Sequence, residues 1–277
     1  MRLDALLLVP LMAAVTAHGA QAGCAADPAP CTIDGGEYHA ERPDAPDGSA
    51  LVFIHGYNAT GEGMLRARGM VDAALERGTT VIAPSGQPMD SGNGRRWGFR
   101  PDRPGTRDDV AFLQSVRDDA VARFGLDRGR MLLAGFSIGG SMAAYVACAV
   151  PDAFPAYAPV GGNFWRPHPE RCAGPAPMFH THGWRDGTVP LEGRVLGGGS
   201  VRQGDVFEAM QIWRDTNGCP KLQADGFETA GDFWRRRWSD CAAPLELALF
   251  DGGHGIPAGW TDMALDWFEG LSGPASE

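Results

Sequence analysis

Met131-Leu132-Leu133-Ala134-Gly135-Phe136-Ser137-Ile138-Gly139-Gly140-Ser141-Met142 decides how this chain folds. An apolar run of strand length enters a Gly-x-Ser-x-Gly turn and leaves it in a second apolar run, Ala143-Ala144-Tyr145-Val146, of helical composition. Nothing polar alternates along Met131 to Ala134, so that strand must be covered on both faces. A serine at such a turn is held in a strained backbone conformation that projects its Oγ, and the helix behind it points its N-terminus at the same spot. Gly135 and Gly139 fall where a side chain would clash with the turn.

The same change of period recurs on both sides. Continuous apolar runs predict strands at Leu51 to Ile54, Thr80 to Ala83, Ala156 to Val160, Met178 to Thr181 and Leu245 to Phe250. Helices are expected at Gly63 to Arg77, Arg107 to Phe124, Gly139 to Val150, Gln203 to Asn217 and Thr261 to Phe268. Thr106, with Asp109 three residues on, reads as a capping box for the second of these, which carries Val110, Leu113, Val121 and Phe124 on one stripe. Strands alternating with helices mean a mostly parallel sheet with helices on both faces. No linker or repeat divides the chain, so a single α/β domain is expected. Pro84 to Gly105, rich in Gly and Pro, reads as a long functional or lid-like loop.

The chain has 277 residues, 44% of them hydrophobic, which suits one sizeable core and excludes disordered, collagenous and coiled-coil classes. Its formal charge of −10 argues against polyanion partners. A nucleic-acid binder needs a basic face, and with Lys221 the only lysine no basic stripe emerges. The triplet Arg235 to Arg237 reads as a solvated strand edge. Arg2, the apolar run Leu6 to Val15 and the small-x-small motif Ala20-Gln21-Ala22 read as an export signal over residues 1–22, too short to span a bilayer. Residues 23–50 are then an N-terminal extension with the first strands, and residues 51–271 the main α/β domain. With that segment removed a mature chain of about 255 residues is expected, with no separate second module. No membrane span is expected, and six cysteines in an exported protein point to disulfides.

A serine that attacks a carbonyl needs a base, a carboxylate to orient that base, and fixed N–H donors for the oxyanion. One donor is the amide after the serine, on Ile138. The second comes from the loop leaving an earlier strand, and Val52-Phe53-Ile54-His55-Gly56-Tyr57 points to the Tyr57 amide. His55 itself reads mainly as a loop brace, with a place in the substrate pocket as the alternative. Among the seven histidines, His168, His180, His182 and His254 follow Ser137, and of these only His254 lies in a glycine-rich turn after the final strand. Asp186, beyond the strand Met178 to Thr181, is the favoured acid, with Asp251 the weaker candidate. His180-Thr181-His182 puts two imidazoles on one face of a strand, but third and fourth ligands at suitable spacing are missing, so neither a metal nor another cofactor is expected. Trp97, Phe164, Trp165 and Trp184 are candidate pocket walls.

Together these segments resemble a known family. His55-Gly56-Tyr57, the helix start Asp108 to Leu113, Ala134 to Met142, Cys148, Pro151, Phe154 and Ala158 to Val160 carry part of the resemblance. His182-Gly183 with Asp186 and Val189-Pro190, and Gly252 to Gly255, carry the rest. The chain is similar, from about Tyr38 to Phe268, to the secreted polyhydroxybutyrate depolymerase and feruloyl esterase group of α/β-hydrolases. The resemblance implies a serine carboxylesterase in which Ser137, Asp186 and His254 occupy the triad positions. It also implies pairing of Cys148 with Cys172 and of Cys219 with Cys241. Cys24 with Cys31 is a pairing by proximity alone. The expected partner is a small-molecule or oligomeric ester. The alternatives are a non-catalytic binder on a hydrolase scaffold, or a peptidase or thioesterase using the same three residues.

Overall fold

In the computed structural model, which describes residues 23–89, 92, 94–100, 102 and 105–271, the run Met131–Phe136 lies near the middle of a ten-stranded sheet. The strands are β1 (Cys31–Ile33), β2 (Gly36–Glu41), β3 (Ala50–Ile54), β4 (Thr80–Pro84) and β5 (Met131–Phe136). They continue with β6 (Ala156–Val160), β7 (Met178–Gly183), β8 (Gly226–Ala230), β9 (Phe233–Trp238) and β10 (Leu245–Phe250). Their order is β1-β2-β4-β3-β5-β6-β7-β10-β9-β8. The six central strands run parallel, and an antiparallel pair flanks them at each end. The export signal expected at residues 1–22 lies outside the described residues.

Alternate residues of the central strands feed two cores, because successive side chains on a strand point to opposite faces. Val52, Ile54, Met131 and Leu133 join one core with helices α3 (Asp109–Phe124), α4 (Ile138–Ala149) and α5 (Val206–Thr216). Leu51, Phe53, Leu132 and Ala134 join the other with α1 (Gly61–Leu65), α2 (Arg68–Glu76) and α6 (Trp260–Gly270). Helices therefore cover both faces, and the uninterrupted apolar runs follow from that burial. The fold is a single-domain α/β-hydrolase.

The structure corrects several local expectations. The helix expected over Gly63 to Arg77 is two helices, broken where Ala67 leaves helical geometry at φ −74° and ψ 67°. Arg68 starts the second, tied to Glu41 at 2.8 and 3.0 Å. The cap of α3 is Asp108, whose Oδ1 accepts from Val110 and Ala111 at 3.0 Å each, whereas Thr106 bonds to Gln87. Asp109 is buried, accepting from the Gln87 amide at 2.7 Å and the Gly98 amide at 2.6 Å. Those bonds fasten both ends of the long loop, whose described part contains a two-stranded ribbon, Gln87–Pro88 with Arg95–Arg96. The arginine triplet is no sheet edge, because β9 lies between β10 and β8. Arg235 is largely buried there, bonded to Glu246 and, at 2.9 Å, to Glu228. Burial pushes the Glu246 carboxyl above its ordinary value, against the opposing pull of Arg235.

All six cysteines are paired: Cys24 with Cys31, Cys148 with Cys172 and Cys219 with Cys241. The second pair ties the end of α4 to the loop before β7. Among the described residues no helix is long and apolar enough to cross a membrane.

Candidate active site

Ser137 stands between the end of β5 and the start of α4 at φ 59°, a region L-residues avoid, and the surrounding packing imposes it. A Cβ at Gly139 would collide with the carbonyl oxygens of Ile54 and His55, and one at Gly135 with the Gly139 carbonyl. The turn is thus pressed against the end of β3, and the two glycines of the motif allow that approach. The Ser137 amide donates to Val160 O at 2.9 Å, anchoring the turn to β6 as well.

Asp186 and His254 leave the ends of the adjacent strands β7 and β10. The loops that carry them are laced together: Trp184 N donates to Phe250 O, and Arg185 N to Gly252 O, both at 2.8 Å. His254 Nε2 lies 3.0 Å from Ser137 Oγ, and its Nδ1 lies 2.7 Å from Asp186 Oδ2. The other carboxylate oxygen, Oδ1, accepts from the Thr188 and Val189 amides at 2.8 Å each. Burial pushes the Asp186 carboxyl upward, but the bonds from His254, Val189 and Thr188 outweigh it and hold the group below the ordinary carboxylate range. Asp186 is therefore ionised where the enzyme would work. The Phe136 ring packs on the His254 ring with centroids 4.6 Å apart. Asp251, the weaker candidate for the acid, points to solvent and pairs with Arg185 at 3.0 Å.

The Ile138 amide is the first of α4 and, like all first-turn amides, has no intrahelical acceptor. The loop carrying Tyr57 runs alongside the serine, since a Cβ on Gly56 would sit 3.4 Å from the Ser137 Cβ. Neither the Tyr57 nor the Ile138 amide donates to an acceptor among the described residues.

Three of the expected pocket residues are closed inside the protein instead. His55 is fully buried and braces its loop, with Nδ1 2.7 Å from Gly56 O and Nε2 accepting from Gly86 N at 2.9 Å. Trp97 packs beside it and donates to His55 O at 3.0 Å. Phe164 is buried and stacked on Trp213, at 5.6 Å between centroids. Trp165 is half-buried, with its indole N–H donating to Ser141 Oγ at 3.3 Å. Trp184 is exposed and meets Trp234 edge-on at 6.1 Å.

His180 and His182, weighed from the sequence as the start of a metal site, are engaged with each other and with the loop that carries Asp186. His180 Nε2 lies 3.1 Å from His182 Nδ1, and His182 Nε2 lies 2.7 Å from Val189 O. The sequence singles out His182 and Val189 for this site only through the family resemblance, and nothing in it points to the Thr188 and Val189 amides as donors to Asp186. The spacing of His182 to Asp186 and Val189 was the available signal.

A serine, a histidine and a carboxylate joined at the carboxyl ends of parallel strands belong to the α/β-hydrolase class. Residues 37–196 match the phospholipase/carboxylesterase family, and the chain belongs to it as an ester-hydrolysing serine hydrolase. Feruloyl esterase C of Emericella nidulans is 27% identical over 261 residues, covering 87% of each chain. A probable feruloyl esterase C of Aspergillus niger is 24% identical over 271 residues, covering 91% of this chain and 90% of its own. An acetyl xylan esterase from Aspergillus awamori shares the fold, with a TM-score of 0.62 at 16% identity over 85% of this chain and 94% of its own.

Proposed function

We propose that Ser137 is the nucleophile, His254 the general base and Asp186 its orienting acid, in a two-step hydrolysis through an acyl-enzyme. The continuous chain from Ser137 Oγ through His254 to Asp186, at 3.0 and 2.7 Å, carries this reading. His254 takes the Ser137 proton as Oγ bonds to the ester carbonyl carbon. The negative charge that moves onto the carbonyl oxygen is received by the Tyr57 and Ile138 amides. The tetrahedral intermediate collapses, His254 hands the proton to the departing alkoxide, and the alcohol leaves. Water, deprotonated by the same ring, then releases the acid and restores Ser137. Asp186 keeps the ring in the required tautomer and stabilises the imidazolium.

The proposed substrate is a carboxylic ester of the feruloyl or acetyl type, a class supported by the names of the similar enzymes. The proposed site of action is outside the cytoplasm, after removal of residues 1–22. The three disulfides support that reading, since such bonds persist in oxidising compartments. N-terminal sequencing of the exported protein tests the cut.

The deciding experiment compares wild type and S137A on p-nitrophenyl acetate, methyl ferulate, acetylated xylan and hydroxybutyrate oligomers, with an anilide and a thioester alongside. Turnover of esters that S137A lacks, and labelling of Ser137 by a fluorophosphonate, are the expected results. Equal ester turnover by S137A would overturn the assignment. Preferential cleavage of the anilide or thioester would move the substrate class.

A further inference from the structure

The strand that delivers the acid brings a second imidazole to it. His182, one residue before the end of β7, is fully enclosed, and its Nε2 reaches both the Val189 carbonyl, at 2.7 Å, and Asp186 Oδ2, at 3.5 Å. Asp186 Oδ2 is the atom that faces His254 Nδ1. The acid's carboxylate is thus placed between two histidine rings, of which only His254 approaches the serine.

The partners assign the tautomers. A carbonyl oxygen only accepts, so His182 carries its proton on Nε2 and donates it to Val189. Its Nδ1 is then an acceptor, and His180 donates to it from Nε2 at 3.1 Å, with the two rings stacked only 9° from parallel. The result is a buried relay of bonds: His180 to His182, His182 to the Val189 carbonyl, and the Val189 amide to Asp186 Oδ1. Among the described residues the ionisable groups facing His182 are His180, Asp186 and His254, and the one facing His180 is His182. Burial lowers both rings below ordinary histidine, His180 well below and His182 against upward pulls from its bond to Val189 and from Asp186. A neutral His182 does not compete with His254 for the Asp186 charge.

We propose that His182, supported by His180, is a positioning residue that fixes the Asp186–Val189 turn and thereby aims the Asp186 carboxylate at His254. This rests on the reading of Ser137, His254 and Asp186 as the reacting set. His182 touches no reacting atom. Without its N–H the Val189 carbonyl is left buried and unpaired, and the turn that supplies two donors to Asp186 loses its anchor. A carboxylate displaced by a fraction of an ångström stabilises the imidazolium less, so both the rate and the acid limb of the pH profile respond.

The test is steady-state kinetics of wild type, S137A, H182L, H182N and H182Q on a p-nitrophenyl ester from about pH 5 to 9. Glutamine reaches Val189 with its amide N–H while offering His180 an acceptor. Asparagine keeps the polarity but is too short to reach Val189, which makes it the informative variant if H182L does not fold. H182L and H182N are expected to lose about 10- to 100-fold in kcat, with KM within about twofold and the acid-limb midpoint moved to lower pH. H182Q is expected to recover most of the rate and the original midpoint. A folded H182N with wild-type kcat and midpoint, or an H182Q as impaired as H182N, would overturn the proposal. A wild type without ester turnover, or an active S137A, would count against the Ser137 reading. An active wild type with a dead S137A and an unchanged H182N would count against His182 alone.

Discussion

His254 Nε2 and Ser137 Oγ meet at 3.0 Å although 117 positions separate them in the chain. They meet because both hang from the carboxyl ends of strands in one sheet, one on β5 and the other beyond β10. Asp186 reaches the same place from β7, next to β10.

Asp186 accepts from three donors and stays ionised, so its charge is what D186N removes while keeping the shape. An asparagine can donate to the ring and favour the wrong tautomer. D186N should therefore lower kcat on the order of ten-thousand-fold with little change in KM, as measured on p-nitrophenyl acetate. A loss under about tenfold would show that the carboxylate is not needed for orientation.

G139A should be among the most damaging small substitutions, since the added methyl meets the Ile54 and His55 carbonyls with nowhere to go. Stability in urea should fall by more than about 2 kcal/mol, or the protein should fail to accumulate folded. An unchanged unfolding midpoint would show that the β3 to α4 approach is looser than its geometry states.

Stability should fall on acidification because of buried neutral histidines. Burial lowers the His55 value from 6.5 to about 4, against a smaller upward pull from its bond to the Gly56 carbonyl. Below 6.5 the unfolded chain takes up a proton that the folded chain refuses. The contribution is therefore complete above that pH and is lost as pH falls towards 4, on the order of 3 kcal/mol in total. His180 and His182 are shifted in the same direction. Urea titrations at intervals through this window should show the slope, and a flat profile would contradict buried neutral rings.

Removing Arg235 should strand the buried Glu246. R235M is expected to cost about 3–5 kcal/mol near neutrality. The Glu246 carboxyl is already raised, and without its arginine it moves further up. The folded form then holds a proton that the unfolded form has released, so the variant loses stability as pH rises from the ordinary glutamate range through the raised folded value, and regains it as pH falls back to that range. The double variant R235M/E246L should recover most of the loss. Equal loss in the single and double variants would show that packing, and not charge, sets the cost.

Opening Cys148–Cys172 by paired alanines should cost about 3 kcal/mol, the loop-closure entropy of a loop this size. The two cysteines are 24 positions apart. Denaturation of the double variant under oxidising conditions checks it.

The parallel core was legible in the sequence because each of its strands is buried on both faces and leaves an unbroken apolar run. The turns that carry Ser137, Asp186 and His254 stand out in the sequence because glycines mark them, and chain order separates the proposed set from the other candidates. The β8–β9 hairpin was not. Its strand Phe233–Trp238 alternates arginines with aromatics, which looks like an exposed edge until Glu228 and Glu246 are seen on the neighbouring strands. Cross-strand ion pairs leave no mark within a single segment. Gly231-Asp232, which turns the hairpin with Gly231 at φ 57°, was the local signal available. Sequence leaves the α3 cap undecided for a similar reason. Thr106, Asp108 and Asp109 all fit the role, and only the bonds of Thr106 and Asp109 to Gln87 and Gly98 leave Asp108 free to take it.

The lacing of the Asp186 and His254 loops has a mechanical meaning. Two backbone bonds, from Trp184 to Phe250 and from Arg185 to Gly252, tie the turn that carries Asp186 to the turn that carries His254. Ser137 is held by other contacts, the press of its turn against β3 and the bond of its amide to Val160 at the end of β6. The pairing of His254 with Asp186 and the approach of Nε2 to Oγ are therefore set by two different groups of backbone contacts.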